Sequence, residues 1–412
     1  MSTFRAVLAL PDGVLRFIGT EMLLGIGIGI LTMIQNLHML ALHIDPQQIG
    51  MITSAGTLAA GLVGLPAGML VTRLGRKRML TAGMLLMGAA TAGFGLGFTQ
   101  LHMLLAMLTW SVGLTFLVTS EIQLLFQYCS EKKQETLAYS MLFAVFTLFT
   151  GVGTLLGGYL PGLLGGMTTL YQNTFYLGAA CIAAGAVLRA ILLPVDKPAK
   201  RPPPERSTYV SANPPLRRSS PVKLLILSGS VFLFSFSFNI AGPYANVIVQ
   251  YRYGWSDEQV SLLLSANGFA LFIGSLLMPM LLERLGPAKA FDAVFALNVL
   301  FSFALGIPLG AYWFAAVLVV RGGCFTLLNN MIESETMSAV PEAERNRFAA
   351  LRSVFRAGGG ALAAYVGGIV LQSRNTLLPY WITAVGLLVT WAWVRWAAMP
   401  RMRAERGSEA DL

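Results

Sequence analysis

Apolar stretches of about 20 residues recur from Val14 to Ala398, separated only by short polar gaps. A stretch of that length, nearly free of charge, crosses a hydrocarbon core of roughly 30 Å as a helix, because a helix satisfies its backbone polar groups internally. Twelve spans are expected, over 15–41, 49–71, 79–98, 103–128, 138–163, 174–193, 222–249, 258–282, 288–309, 313–338, 348–372 and 379–398. They consume most of the 412 residues, which excludes a soluble globular protein, a soluble catalytic domain and hence an ordinary soluble enzyme. Only 12% of residues are charged, about half the share of a soluble domain. The first span follows Arg5, Asp12 and Arg16 and is too long for a signal-peptide core, so it is expected to stay as a membrane helix.

The formal charge of +10 would point to nucleic acid in a soluble chain, but here the basic residues sit between spans and read as topology signals. With both termini cytoplasmic, the inner gaps carry Arg73, Arg76, Lys77, Arg78, Lys132, Lys133, Arg284, Lys289, Arg345, Arg347, Arg401, Arg403 and Arg406, against Arg252 and Arg374 outside. One long polar segment, Pro194–Pro221, holds eight prolines and six basic residues. It is expected to be a proline-stiffened cytoplasmic loop, with a phospholipid-surface role as the alternative. The expected organisation is therefore a six-helix unit over 1–193, a linker over 194–221 and a second six-helix unit over 222–412. Cys129, Cys181 and Cys324 are isolated, with neither metal-site spacing nor a disulfide framework, and no metal or cofactor is expected.

The two halves share sequence. Laying Ile49–Gly75 on Val260–Gly286 at an offset of 211 gives nine identities in 27 positions, including Ser54 with Ser265 and Arg73-Leu74-Gly75 with Arg284-Leu285-Gly286. At an offset of 209, Gly113 pairs with Gly322, Phe116 with Phe325, Glu135 with Glu344, Val145-Phe146 with Val354-Phe355 and Gly158 with Gly367. Both blocks, in order and at nearly equal offset, indicate a duplicated six-helix unit. Such parallel repeats are a mark of transporters whose substrate path lies between the halves.

The gap after the second span reads GMLVTRLGRKRML, and Gly68, Leu70, Arg73, Gly75, Arg76, Lys77 and Leu80 fall on the positions of the signature loop of the major facilitator superfamily. The chain resembles that family over its whole length in span count, linker and repeat. Thr72 stands where the motif has an Asp, and the partner loop keeps Glu283, Arg284 and Gly286 but lacks the following basic pair. The resemblance implies an all-α polytopic protein of 12 transmembrane helices in two pseudo-symmetric bundles, a pathway lined by the first, fourth, seventh and tenth spans, and a cytoplasmic gate at Gly68, Arg73, Gly75, Arg76, Lys77, Glu283 and Arg284. A tight turn there puts cations where they can meet helix C-termini when that side closes; a plain positive-inside anchor is the alternative. Patterns of particular drug–proton antiporters are missing, since Thr109 stands near an Arg position of the fourth span and the fifth has Gly153, Gly157 and Gly158 with its proline only at Pro161.

Charged groups inside spans are costly and face a cavity or one another. Glu121, with no basic residue at helical spacing, is a candidate for proton coupling or substrate contact, or else for an ion pair. Glu21, near Arg16, is expected to be structural. Arg352 and Arg356 share a helix face, with Glu333 or Glu335 at similar depth; they form either an ion-pair network that switches between states or an interfacial pair with snorkelling stems. Arg321 could meet an anionic substrate group or pair with carbonyls and asparagines. Asn36, Asn239, Asn246 and Asn330 are pathway candidates by position, with helix-to-helix hydrogen bonding as the alternative. Asn239, Gly242 and Pro243 predict a seventh helix able to bend. Gly25, Gly27 and Gly29 read as close helix packing, and His38, His43 and His102, near outer ends, as interfacial, with pH sensing as the alternative.

The expected function is alternating-access secondary transport of a small molecule across a bacterial-type cytoplasmic membrane, by a monomer in the lipid bilayer and with no nucleic-acid partner. Proton-coupled efflux of amphiphilic compounds is favoured, because the pathway combines one carboxylate with many apolar and aromatic groups. A symporter or facilitator for a polar or anionic solute is the alternative, and a transport-inactive scaffold or sensor is the rival from another class.

Overall fold

The structure, a computed structural model, describes residues 10–129, 131–194, 220–341 and 344–400. The expected linker lies outside the described residues over 195–219, as does the tail over 401–412. Among the described residues there is no strand, and the helices are α1 (Asp12–Ala41), α2 (Pro46–Leu74), α3 (Arg76–Leu96), α4 (Gln100–Gln127), α5 (Lys132–Leu164), α6 (Gln172–Leu192), α7 (Pro221–Tyr253), α8 (Asp257–Leu285), α9 (Pro287–Leu305), α10 (Ala311–Ser338), α11 (Arg345–Gln372) and α12 (Leu378–Ala398). Ten of these are long and apolar enough to cross a membrane, or eleven when α2, bent by 53° before Pro66, counts as one span. The remaining helix, α9, packs between α10 and α12. Its expected end at 309 is early, at Leu305, because Gly306, Pro308 and Gly310 do not continue a helix.

The anticipated weak point in α7 is real. The helix stops at Asn239, passes through a 3₁₀ turn at Gly242–Tyr244 and resumes at Ala245. Pro243 has no N–H to donate to the helix, so the α ladder breaks there.

Duplication is visible in the packing. In the first half α1 packs on α5 and α6, α3 on α4 and α6, and α2 on α4; shifted by six helices, α7 packs on α11 and α12, α9 on α10 and α12, and α8 on α10. The halves meet through α2 with α11 and through α5 with α8, again one pair shifted by six. The sequence offset of 211 reappears in the helix ends: α2 and α8 each have 29 residues and each opens with a capping box, Asp45 with Gln48 and Ser256 with Gln259. Each also ends on a glycine with positive φ, 88° at Gly75 and 73° at Gly286, where a side chain would be strained.

Small residues let the helices approach. A Cβ on Gly29 would stand 2.1 Å from the Thr150 carbonyl oxygen, and one on Gly359 would stand 2.3 Å from that of Phe232, which fixes the α1–α5 and α7–α11 contacts.

Candidate functional site: the cavities between the halves

Among the described residues two cavities lie between the halves, and the larger of these, about 730 Å³, is walled by α2, α4, α7, α10 and α11. On one wall the rings of Phe234 and Phe238 both stack on Phe325, at centroid distances of 5.3 and 3.5 Å. On the other walls stand Thr57, Thr115, Thr119, Asn239, Asn329, Ser353 and Arg356. The second cavity, about 550 Å³, lies among α1, α2, α4, α5, α7 and α8, and is lined by Asn36, Asn246, Gln35 and Phe143 among others. Of the candidate pathway residues, Asn36, Asn239 and Asn246 thus reach a cavity wall. Asn330 does not; its neighbour Asn329 does, and donates to the Asn330 Oδ1 at 3.4 Å. Arg321 lies outside both linings, buried, with its Nε donating to Ser302 Oγ at 2.8 Å. The sequence had offered Arg321 either to a substrate anion or to carbonyls and asparagines; here a hydroxyl of α9 takes its Nε hydrogen bond.

Asn36 and Asn246 form a reciprocal clasp between α1 and α7. Asn36 Nδ2 donates to the Pro243 carbonyl at 2.7 Å, and Asn246 Nδ2 donates to the Met33 carbonyl at 2.8 Å. At an offset of 210, residue 243 corresponds to 33 and 246 to 36, so each bond is the image of the other. Beside the clasp, Gln47 N–H donates to Gln372 Oε1 at 3.4 Å, and a Cβ on Gly50 would stand 3.0 Å from Gly368 Cα. These contacts hold the halves together on the face opposite the signature loop.

Glu121, a candidate either for proton coupling or for an ion pair, has a charged partner. Arg189 of α6, fully buried, is ion-paired with Glu21 of α1 and reaches Glu121 of α4 at 3.4 Å. Its Nε also donates to Thr20 Oγ1 at 3.1 Å, and its guanidinium lies 4.4 Å from the Phe17 ring centroid. Arg16, expected beside Glu21, instead donates to the Leu192 carbonyl at 3.3 Å. Helix spacing could not show this pairing, because the cation comes from a third helix; the available signal was an arginine inside the apolar run AVLRAILL. Glu121 is outside the lining of both cavities, though Val118 and Thr119, one turn before it, line the larger one.

In the second half Glu333 of α10 is ion-paired with both Arg352 and Arg356 of α11, which the sequence had placed together. Arg356 faces the larger cavity and is the one charged group among its described lining residues.

At the signature loop, the cations meet helix C-termini as the physics of the turn requires. Arg76 donates to the Gln123 carbonyl of α4 at 3.4 Å, and Lys77 donates to the Leu193 carbonyl at the end of α6 at 2.6 Å. Thr72, in place of the motif's Asp, donates its hydroxyl to the Met69 carbonyl of its own helix at 2.7 Å. Gly68, Arg73, Glu283 and Arg284 are exposed near the ends of α2 and α8. Buried His38 is held by Thr169 at 2.7 Å and the Phe94 carbonyl at 2.9 Å, which is a packed core position rather than an interfacial one.

A family profile described as Major Facilitator Superfamily matches residues 17–232 and, a second time, 227–411. The chain belongs to the Major Facilitator Superfamily. The chain is 23% identical over 375 residues to the multidrug efflux protein YfmO of Bacillus subtilis, covering 88% of this chain and 87% of that one. Multidrug resistance protein 2 of the same organism is 20% identical, over 89% of this chain and 92% of its own. Among solved structures, the nucleoside transporter NupG superposes with a TM-score of 0.71 at 17% identity, over 93% of this chain and 99% of that one. A bacterial homologue of the human lysosomal transporter Spinster, inward-facing and occupied, gives 0.67 at 14% identity, over 95% and 96%. At these identities the structural likeness establishes the fold. The protein is a multi-span membrane transporter of this superfamily, and its kind is that of a transporter rather than an enzyme.

Proposed function

We propose that the protein is a proton-coupled exporter of amphiphilic small molecules, working as a monomer in a bacterial cytoplasmic membrane with both termini and the signature loop on the cytoplasmic side. The observation that carries this is the larger cavity, whose lining combines Phe234, Phe238 and Phe325 with Thr57, Thr115, Asn239 and Arg356. An amphiphile needs both, and a stacked aromatic wall adapts to many ring systems. Two relatives named for multidrug efflux and resistance support the direction and breadth of transport.

Proton coupling is supported by the charge count at Arg189. Two carboxylates against one guanidinium leave a surplus negative charge that a low-dielectric interior disfavours, so the cluster is neutral when it holds one proton. Glu121 is the most exposed member, at 14% of its side chain against 1% for Glu21 and 0% for Arg189, and so the one best placed to exchange a proton. The excess of basic residues on the signature-loop face supports the orientation.

The test is uptake into sealed vesicles containing the purified protein in inverted orientation, with an imposed pH gradient and a panel of fluorescent amphiphiles. Gradient-dependent accumulation is expected, and collapse on adding a protonophore. Transport of small polar solutes only, unaffected by the gradient, would replace exchange by facilitation.

A further inference from the structure

The larger cavity is unequal in what it offers a ligand. Most of its polar side chains spend their donors on the protein: Thr57 on the Thr53 carbonyl at 2.8 Å, Thr115 on that of Ser111 at 2.8 Å, and Thr119 on that of Thr115 at 2.6 Å. Ser235 donates to the Arg356 carbonyl at 2.8 Å, and Asn239 to the Ser235 carbonyl at 2.8 Å. These groups are left as acceptors. The guanidinium of Arg356 has five N–H groups in a planar fork, and its ion pair with Glu333 leaves others unspent. Its side chain is 40% exposed, and Phe234, Phe238 and Phe325 line the same cavity.

The charge balance points the same way. Among the described residues Arg352 and Arg356 both pair with the carboxylate of Glu333, two guanidinium groups on one acid. Glu335, two residues on, projects about 200° around α10 from Glu333 and belongs to another face of the helix. A cation in a span is costly, and a ligand anion offsets that cost.

We propose that the cavity selects amphiphilic anions, docking one carboxylate, sulfonate or phosphate group on the Arg356 guanidinium while an aromatic body packs on Phe234, Phe238 and Phe325, with Glu333 as the resident counter-ion that the ligand anion displaces. This rests on the cavity being the transport site proposed above, and adds the sign of the cargo. Bidentate geometry favours arginine over lysine for such a group.

The experiment is a binding series on the full-length protein in lipid nanodiscs with three ligands of one shape and three charges: 4-phenylbutyrate, 4-phenylbutyramide and 4-phenylbutylamine. The wild type is expected to bind the acid at least ten-fold more tightly than the amide, and the amine least. Arg356→Gln should weaken the acid ten-fold or more and leave the amide unchanged, which also shows that the variant is folded. Arg356→Lys should recover part of the loss. Glu333→Gln should tighten the acid several-fold, because the competing carboxylate is gone. Equal binding of acid and amide, or an Arg356→Gln variant that keeps the preference, overturns the anion selectivity while leaving an amphiphile transporter in place. If none of the three binds and none is transported in the vesicle assay, the selectivity and the amphiphile exporter fall together.

Discussion

Glu121 and Glu21 touch the same guanidinium, yet replacing them should have unequal consequences. Glu121→Gln leaves Arg189 beside Glu21, a neutral pair at 0% and 1% exposure. At an effective dielectric of about 20, a unit pair at 3.4 Å attracts by roughly 5 kcal/mol. Repulsion from Glu21 and desolvation oppose that attraction, so losing the Glu121 charge should change stability by only about 1 kcal/mol, in either direction. Glu21→Gln removes the shielded partner and leaves Arg189 to the more distant Glu121, a loss of up to about 3 kcal/mol. Arg189→Met strands both carboxylates and should cost about 3–5 kcal/mol. Unfolding midpoints in one detergent would rank the three, and vesicle assays would add the functional axis. Glu121→Gln is expected to bind and exchange substrate but to ignore the pH gradient. Two results refute this: a Glu121→Gln protein as unstable as Arg189→Met, or one with a normal response to the gradient.

The clasp gives a second test: Asn36→Ala and Asn246→Ala should each cost about 1 kcal/mol of closure, and the pair should shift the balance roughly thirty-fold toward opening on that face, read as faster labelling of a cysteine placed at Thr53. At the signature loop, Lys77→Ala removes a cation from the α6 C-terminus and should lower stability by about 0.3–1 kcal/mol while slowing transport; unchanged transport would leave the loop as an anchor only. Gly75→Ala forces a side chain into φ of 88° and should cost about 1–3 kcal/mol, and Gly286→Ala the same, as thermal midpoints would show. A cysteine introduced at position 211 should label only from the cytoplasmic side of intact cells; labelling from outside reverses the orientation.

Much of the fold was legible because the bilayer imposes it. Span length follows from hydrocarbon thickness, so the apolar runs locate each helix within a few residues. The repeat was legible because α2 and α8 need the same caps and the same terminal glycine. Two kinds of feature were not. Arg189 and Glu121 lie 68 residues apart on different helices, and helical periodicity carries no information about which faces of α4 and α6 meet. Asn329 against Asn330 is a difference of 100° around α10, and only the packing of that helix, chiefly against α8 and α9, decides which of the two enters the cavity.

The symmetric and asymmetric parts of the molecule divide by role. The clasp sits where the pseudo-twofold requires each half to do the same thing, and both halves supply an asparagine and a carbonyl for it. Charge is distributed differently: among the described pairs the first half sets two carboxylates on Arg189, and the second two guanidinium groups on Glu333. A duplicated scaffold can open and close by relative motion of its two equivalent units, because their contacts are interchangeable. Proton exchange and ligand recognition need opposite signs of charge, and groups of opposite sign placed at one point would neutralise each other as a simple salt bridge. Keeping the two acids between α1, α4 and α6 and the two guanidinium groups between α10 and α11 leaves each free to bind its own counter-charge. The two sites are then coupled only through the movement of the halves. Substituting one cluster should therefore leave the binding of the other's ligand intact while breaking the exchange between them, and a Glu121→Gln protein that lost phenylbutyrate binding would show that the sites are not separable.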